Sequence, residues 1–163
     1  MNLYRRIKRL LLIEKEFVAT LGEYGTLDVD LNADSYVKIL DTNLLNGYRH
    51  EAKDKYDPVF LNNTDQIKAE IGTTFGISFY FLVNNSHREV DIEITLHILH
   101  PEMTNPLTQI SARSQTDTFI YTTPYYQYMH VTFEHEYELV KGQWTFQVWK
   151  NSELVIEKIF EII

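Results

Sequence analysis

The sequence contains no cysteine. Disulfide scaffolding, thiolate catalysis and thiolate zinc sites are therefore excluded. Glycine and proline are scarce, at 6 and 4 residues in 163. The chain is thus neither a collagen-like repeat nor a Gly/Pro linker. No apolar run approaches the ~18 residues that a membrane-spanning helix needs. No nucleophile elbow (G-x-S-x-G) and no phosphate loop (G-x-x-x-x-G-K) occurs. What is present suits one domain with a real core: 19.3 kDa, with 44% of residues apolar. No internal repeat is visible.

Charge is unevenly spread. The whole chain carries a formal −8, from 15 basic and 23 acidic residues. Residues 1–16 hold five basic side chains (Arg5, Arg6, Lys8, Arg9, Lys15) against Glu14 and Glu16, a local +3. The other residues carry the balance, −11. An acidic body repels phosphate backbones, so nucleic acid is not an expected partner. The basic start resembles a secretory signal only in part. Its apolar stretch, Leu10–Ile13, stops at Glu14, short of the ~7–15 residues a signal core requires. A cytoplasmic location is therefore expected, with the periplasm as the alternative, since a chain without cysteine suits either. Leu3, Ile7, Leu10 and Leu11 fall on one face at helical spacing. This predicts a short amphipathic helix over 1–16, which packs on its own domain or docks on a partner or an anionic membrane surface.

From Phe17 the period changes to two. Leu27, Val29 and Leu31 alternate with Asp28, Asp30 and Asn32. Ile77, Phe79, Phe81 and Val83 form a second set, and Ile92, Ile94, Leu96 and Ile98 a third. Val131 and Phe133 follow, then Trp144, Phe146 and Val148. Residues 154–162, apolar on both faces, predict a more buried last strand. Turn chemistry separates the runs: Asn84-Asn85-Ser86, Val140-Lys141-Gly142-Gln143 and Asn151-Ser152. Residues 42–64, rich in Asn, Asp and Gly, read as a long loop, and 101–112 as an inter-strand crossing. Short alternating strands with little helix predict an all-β chain, an antiparallel β-sandwich or barrel.

Several stretches, in this order, carry a family resemblance. They are Glu23-Tyr24-Gly25, Gly72-Thr73-Thr74-Phe75-Gly76, His100-Pro101, Thr104-Asn105-Pro106 and Glu138 through Phe146. Together they resemble a bacterial family known only as domain of unknown function number 3859, over roughly residues 20–163. The resemblance implies a bacterial source and an immunoglobulin-like sandwich. It implies no activity. The chain departs from the pattern at Lys141, where Pro is expected, and in the length of 42–64. Residues 1–16 lie outside it.

Chemistry-bearing motifs are sparse. Asp28, Asp30, Asn32 and Asp34 imitate the start of a calcium loop. The required Gly and Glu are replaced by Ala33 and Ile39, so a wet strand face explains the acids better. His97, His100 and Glu102 are the strongest zinc candidates, being two imidazoles and a carboxylate. Yet 97 and 100 point to opposite faces unless the strand breaks at Pro101. His130, Glu134 and Glu136 share one parity, and cross-strand ion pairing is their ordinary use. Tyr121, Tyr125, Tyr126 and Tyr128 cluster around Pro124, and Trp149 faces away from Trp144, Phe146 and Val148. Aromatic rings in a groove can anchor a ligand or partner. Tyr137 is placed to act as a corner tyrosine that pins a strand crossing.

These readings converge on an antiparallel immunoglobulin-like β-sandwich, 17–163, after a basic segment, 1–16. The expected role is a non-enzymatic binding module without a cofactor, its partner a protein or small ligand. Contacts are expected at Tyr121, Tyr125, Tyr126, Tyr128 and Trp149, with edge strands able to pair chains into a homo-oligomer. Two alternatives stand beside it. One is a metal-assisted hydrolase using His97, His100 and Glu102. The other is a structural subunit docking through residues 1–16.

Overall fold

A computed structural model describes residues 17–31, 35–53, 57–84 and 87–163. The expected helix at 1–16 lies outside them, as do Asn32, Asp34, Asn85 and Ser86. Eleven strands occur among the described residues. They are β1 (Phe17–Asp28), β2 (Tyr36–Leu40), β3 (Tyr48–Ala52), β4 (Val59–Asn62), β5 (Gln66–Ile67), β6 (Thr74–Val83), β7 (Val90–Thr104), β8 (Ser111–Thr123), β9 (Gln127–Thr132), β10 (Gly142–Lys150) and β11 (Glu153–Ile162). One sheet has the order β4-β1-β6-β9 and the other β5-β11-β10-β7-β8. Strands β2 and β3 form a separate hairpin. Every pairing is antiparallel except β5 with β11.

The inward rows of the two sheets meet in an aromatic core. From β6 come Phe75, Ile77, Phe79 and Phe81, all without solvent exposure. From β10 come Trp144, Phe146 and Val148, and from β11 Phe160 and Ile162. These are the alternating residues that the period-two pattern marks. Phe75 sits at the centre, with ring centroids 5.3 Å from Phe133, 5.8 Å from Trp144, 5.5 Å from Phe146 and 5.3 Å from Phe160.

Two glycines allow strands to approach more closely than a side chain permits. Gly25 has φ +128°, and a Cβ there would lie 1.9 Å from the Asn62 carbonyl oxygen of β4. Gly76 faces Gly25 across the β1–β6 ladder, and its Cβ would meet the Met129 carbonyl oxygen at 2.1 Å. Any larger residue at Gly76 would push away β9 and the His130 it carries.

Several expectations need correction. Residues 42–64 are not one long loop, because β3 and β4 lie within them. Residues 101–104 continue β7, whose register shifts between Leu99 and Met103, and a short turn then leads to β8. Strand β11 is buried on one face only: Leu154 and Ile159 are exposed on the outer face of that sheet. The expected turns at 140–143 and 151–152 are present. Gly142 has φ +121°, and Asn151 and Ser152 have φ 49° and 65°, as a two-residue hairpin demands.

The corner tyrosine is Tyr121, not Tyr137. Tyr121 is 1% exposed. Its hydroxyl accepts the Phe81 N–H at 3.2 Å and donates to the Tyr125 carbonyl, joining the sheets where the chain crosses from β8 to β9. Tyr121→Phe keeps the ring but strands both backbone groups. We expect a loss of ~1–3 kcal/mol in chemical unfolding. A change within error would show that water replaces the hydroxyl.

Candidate binding cleft

The β2–β3 hairpin lies across the open side of the sandwich, where the edge strands β8 and β9 belong to different sheets. Four contacts hold it there. The Arg49 guanidinium reaches Asp117 of β8 at 3.6 Å. His50 Nε2 lies 3.2 Å from Glu134 Oε1, and the Tyr48 hydroxyl 2.9 Å from His135 Nε2. Asn105 Nδ2 donates to the Leu45 carbonyl at 3.0 Å. The segment after β9 is itself fixed, because Glu138 accepts the backbone N–H groups of Glu134 and His135 at 2.7 and 2.9 Å.

Between hairpin and sandwich a cleft remains. Three adjoining cavities, of about 160, 270 and 520 Å³, all share Arg49, His50 and His130. The middle one has an apolar floor of Leu96, Ile98, Phe119 and Met129. Polar groups converge above it: Arg49, His50, Asp117 and Tyr128. Arg49 pairs with Glu51 at 2.5 Å and with Asp41 at 3.7 Å, yet its buried Nε has no hydrogen-bond partner.

The electrostatics follow from burial. Burial holds His130 far below the usual imidazole range, at about 4, and neighbouring His50 adds to this. His130 is therefore neutral at pH 7. Burial also raises Tyr48, together with the carboxylates of Glu134 and Glu138, to about 12. Tyr128 rises to about 12 through burial and Asp57, whose carboxylate it reaches at 3.3 Å. Glu138 is raised by burial and held back by the two amides it accepts.

The sequence profile of a family described as "Domain of unknown function (DUF3859)" matches residues 46–162. The chain belongs to the DUF3859 family. The match leaves out the Glu23-Tyr24-Gly25 stretch but contains every residue of the cleft from β3 onward. Among solved structures, the DUF3859 chain is similar to an immunoglobulin-like protein from Pseudomonas aeruginosa. That likeness has a TM-score of 0.63 at 19% identity, covering 93% of this chain and 99% of that one. It confirms the immunoglobulin-like sandwich. Two further likenesses are to an alkylpurine DNA glycosylase from Pseudomonas fluorescens and a β-glucosidase from Listeria innocua. The first has a TM-score of 0.38 at 12% identity, covering 60% of this chain and 27% of that one. The second has 0.42 at 10%, covering 91% and 16%. Neither is close enough to carry an argument. No curated protein matches.

Within the DUF3859 domain the aromatic residues singled out in the sequence do not form one site. Tyr121 is a core residue and leaves the list of contact residues, because its ring is enclosed between the sheets. Tyr125 and Tyr126 are exposed at the turn from β8 to β9, Tyr125 on Glu89 and Tyr126 against Tyr80. Tyr128 lines the cleft. Trp149 lies near His97, 5.9 Å between centroids, and donates to Gln147 at 3.0 Å. Tyr126→Ala is expected to change unfolding free energy by no more than about 1 kcal/mol, read from urea midpoints, since half of the residue is in solvent. A larger loss would make it part of the packed structure.

The proposed metal trio is not brought together. His97 faces Trp149. His100 is buried against Trp144, with Nδ1 2.7 Å from the Pro101 carbonyl oxygen. Glu102 pairs with Arg113 at 3.2 Å on the surface. The described residues hold no group of three His, Asp or Glu placed to bind a metal ion. The parity argument for His130, Glu134 and Glu136 also fails, because β9 ends at Thr132 and a 3-10 turn, Glu136–Glu138, begins soon after. Glu134 instead pairs with His50, which sequence reasoning missed. The two are 84 residues apart, with no local signal to connect them.

Proposed function

We propose that this protein is a non-enzymatic binding module, and that it takes a small ligand in the cleft beneath the β2–β3 hairpin. One observation carries the reading. An apolar floor of Leu96, Ile98, Phe119 and Met129 lies beneath a few convergent polar side chains, in cavities joined through Arg49, His50 and His130. Ligand sites are built in this way, apolar surface supplying affinity and a few polar groups orientation. The unpartnered Arg49 Nε adds a donor that a ligand can satisfy. The hydrolase alternative loses its support with the separation of His97, His100 and Glu102. Docking through residues 1–16 concerns residues outside those described.

The test is a fragment screen followed by amide chemical shifts, using neutral, anionic and cationic small molecules. The expected result is saturable perturbation centred on Arg49, His50 and His130, lost in Gln115→Trp, which fills the cleft. Perturbation centred on the Tyr125–Tyr126 turn would move the site, and no saturable hit would sink the small-ligand reading.

A further inference from the structure

The cleft beneath the β2–β3 hairpin contains both signs of charge, yet neither is free. Five carboxylates line its three cavities: Asp41, Glu51, Asp117, Glu134 and Glu138. Each has a partner within the protein. Asp41, Glu51 and Asp117 surround the Arg49 guanidinium. Glu134 faces His50 at 3.2 Å, and Glu138 accepts the N–H groups of Glu134 and His135. Arg49 is the one lysine or arginine among the lining residues, and the carboxylates around it already outnumber its charge. The other polar groups of the cleft are uncharged. His130 borders all three cavities. Burial and neighbouring His50 hold its ring neutral, and no hydrogen bond to a described residue offsets them. A neutral imidazole offers one donor and one acceptor, and the Gln115 side chain, on two of the cavities, offers an amide. Strands β8 and β9 each end a sheet, and both line the cleft, at 115–119 and 127–130. Among the described residues no strand pairs with their outer edges, which add backbone N–H and C=O groups.

We infer that the ligand of this cleft is uncharged: an apolar body bearing an amide or hydroxyl group, seated on the floor of Leu96, Ile98, Phe119 and Met129 with that group at His130. The inference rests on the cleft being the binding site. An anion would lie among carboxylates, with the one guanidinium already taken by three of them. A cation would lie over an apolar floor, beside an imidazole that itself sheds its proton there, with no lining carboxylate left unpartnered. Either charge would give up its hydration without a replacement partner, which burial makes costly. A neutral amide or hydroxyl exchanges its hydrogen bonds with water for equivalent ones to His130, Gln115 and the strand edges, while its apolar body supplies the affinity.

Three probes of nearly one shape test this on the full chain at neutral pH: phenylacetamide, phenethylammonium and phenylacetate. Each is titrated and followed by backbone amide chemical shifts. Phenylacetamide is expected to saturate shifts at His130 and Gln115, with an affinity ~10-fold or more above that of either charged probe. Equal or tighter binding of a charged probe at the same residues would overturn the uncharged class and leave the cleft standing. Shifts that saturate elsewhere, or none from any probe, would overturn the cleft as the binding site and this inference with it. The comparison requires no variant. A second arm uses His130→Phe, which keeps a ring and removes both nitrogens. Phenylacetamide is expected to bind it several-fold more weakly, and an unchanged affinity would overturn the placement of the polar group at His130.

Discussion

Phe75→Ala is expected to lower the unfolding free energy by ~3–5 kcal/mol, the range for deleting a large buried ring. The position makes the upper half of that range the expectation. Phe75 has no solvent exposure and touches four other aromatic rings drawn from three segments of chain. Sheets hydrogen-bonded on both sides of that centre have little freedom to close the cavity, so the lost contacts are not replaced. A domain stable by ~5–15 kcal/mol would lose a large share of its stability. Urea unfolding measures the loss. Ile159→Ala, on the exposed face of β11, is the control and should cost well under half as much. Comparable losses at both positions would mean that the outer face is covered in solution.

The second large effect is a dependence on pH. His130 binds its proton only near pH 4 when folded, against an ordinary value of 6.5. Below pH 6.5 the unfolded chain therefore takes up a proton that the folded chain refuses. The full contribution of this residue is present above pH 6.5 and is lost progressively as the pH falls towards 4. The displacement corresponds to roughly 3 kcal/mol as an order of magnitude. His100, lowered by burial, acts in the same direction. Glu138 opposes both, because its raised value lets the folded state gain a proton first as the pH falls. Chemical unfolding at intervals from pH 7.5 to 4.5 should show stability rising with pH, with a smaller slope in His130→Asn. The slope is diagnostic even if the variant is less stable throughout. Equal slopes would show that His130 reaches water in the folded state.

The strands legible in the sequence were those with a wet face and a dry one. Ile77 to Val83, Ile92 to Ile98 and Trp144 to Val148 alternate cleanly because each lines the core on one side. Strand β8 carries no clear alternation because its outer row is Ser, Thr and Ile rather than charge, and its inward row is apolar only at Phe119 and Tyr121. Strands β2 and β3 were hidden because they pair mainly with each other and leave much of both faces in solvent. Turn residues were more reliable: Asn151, Ser152 and Gly142 adopt positive φ because few residues tolerate it.

Composition and period alone pointed to a β-sandwich or barrel, and the immunoglobulin-like form came from the family resemblance. They marked an all-β chain, an aromatic core, an acidic body and the absence of thiol chemistry. These properties are local, since strand alternation and turn preference depend on a few neighbouring residues. The cleft is of another kind. His50 and Glu134, Tyr48 and His135, and Arg49 and Asp117 meet only because a hairpin is laid across the gap between two sheet edges. No pattern along the chain encodes contacts between residues so far apart, and no spacing distinguishes the enclosed ring of Tyr121 from the exposed rings of Tyr125 and Tyr126. Burial, and with it the neutral state of His130, was decided by packing in three dimensions.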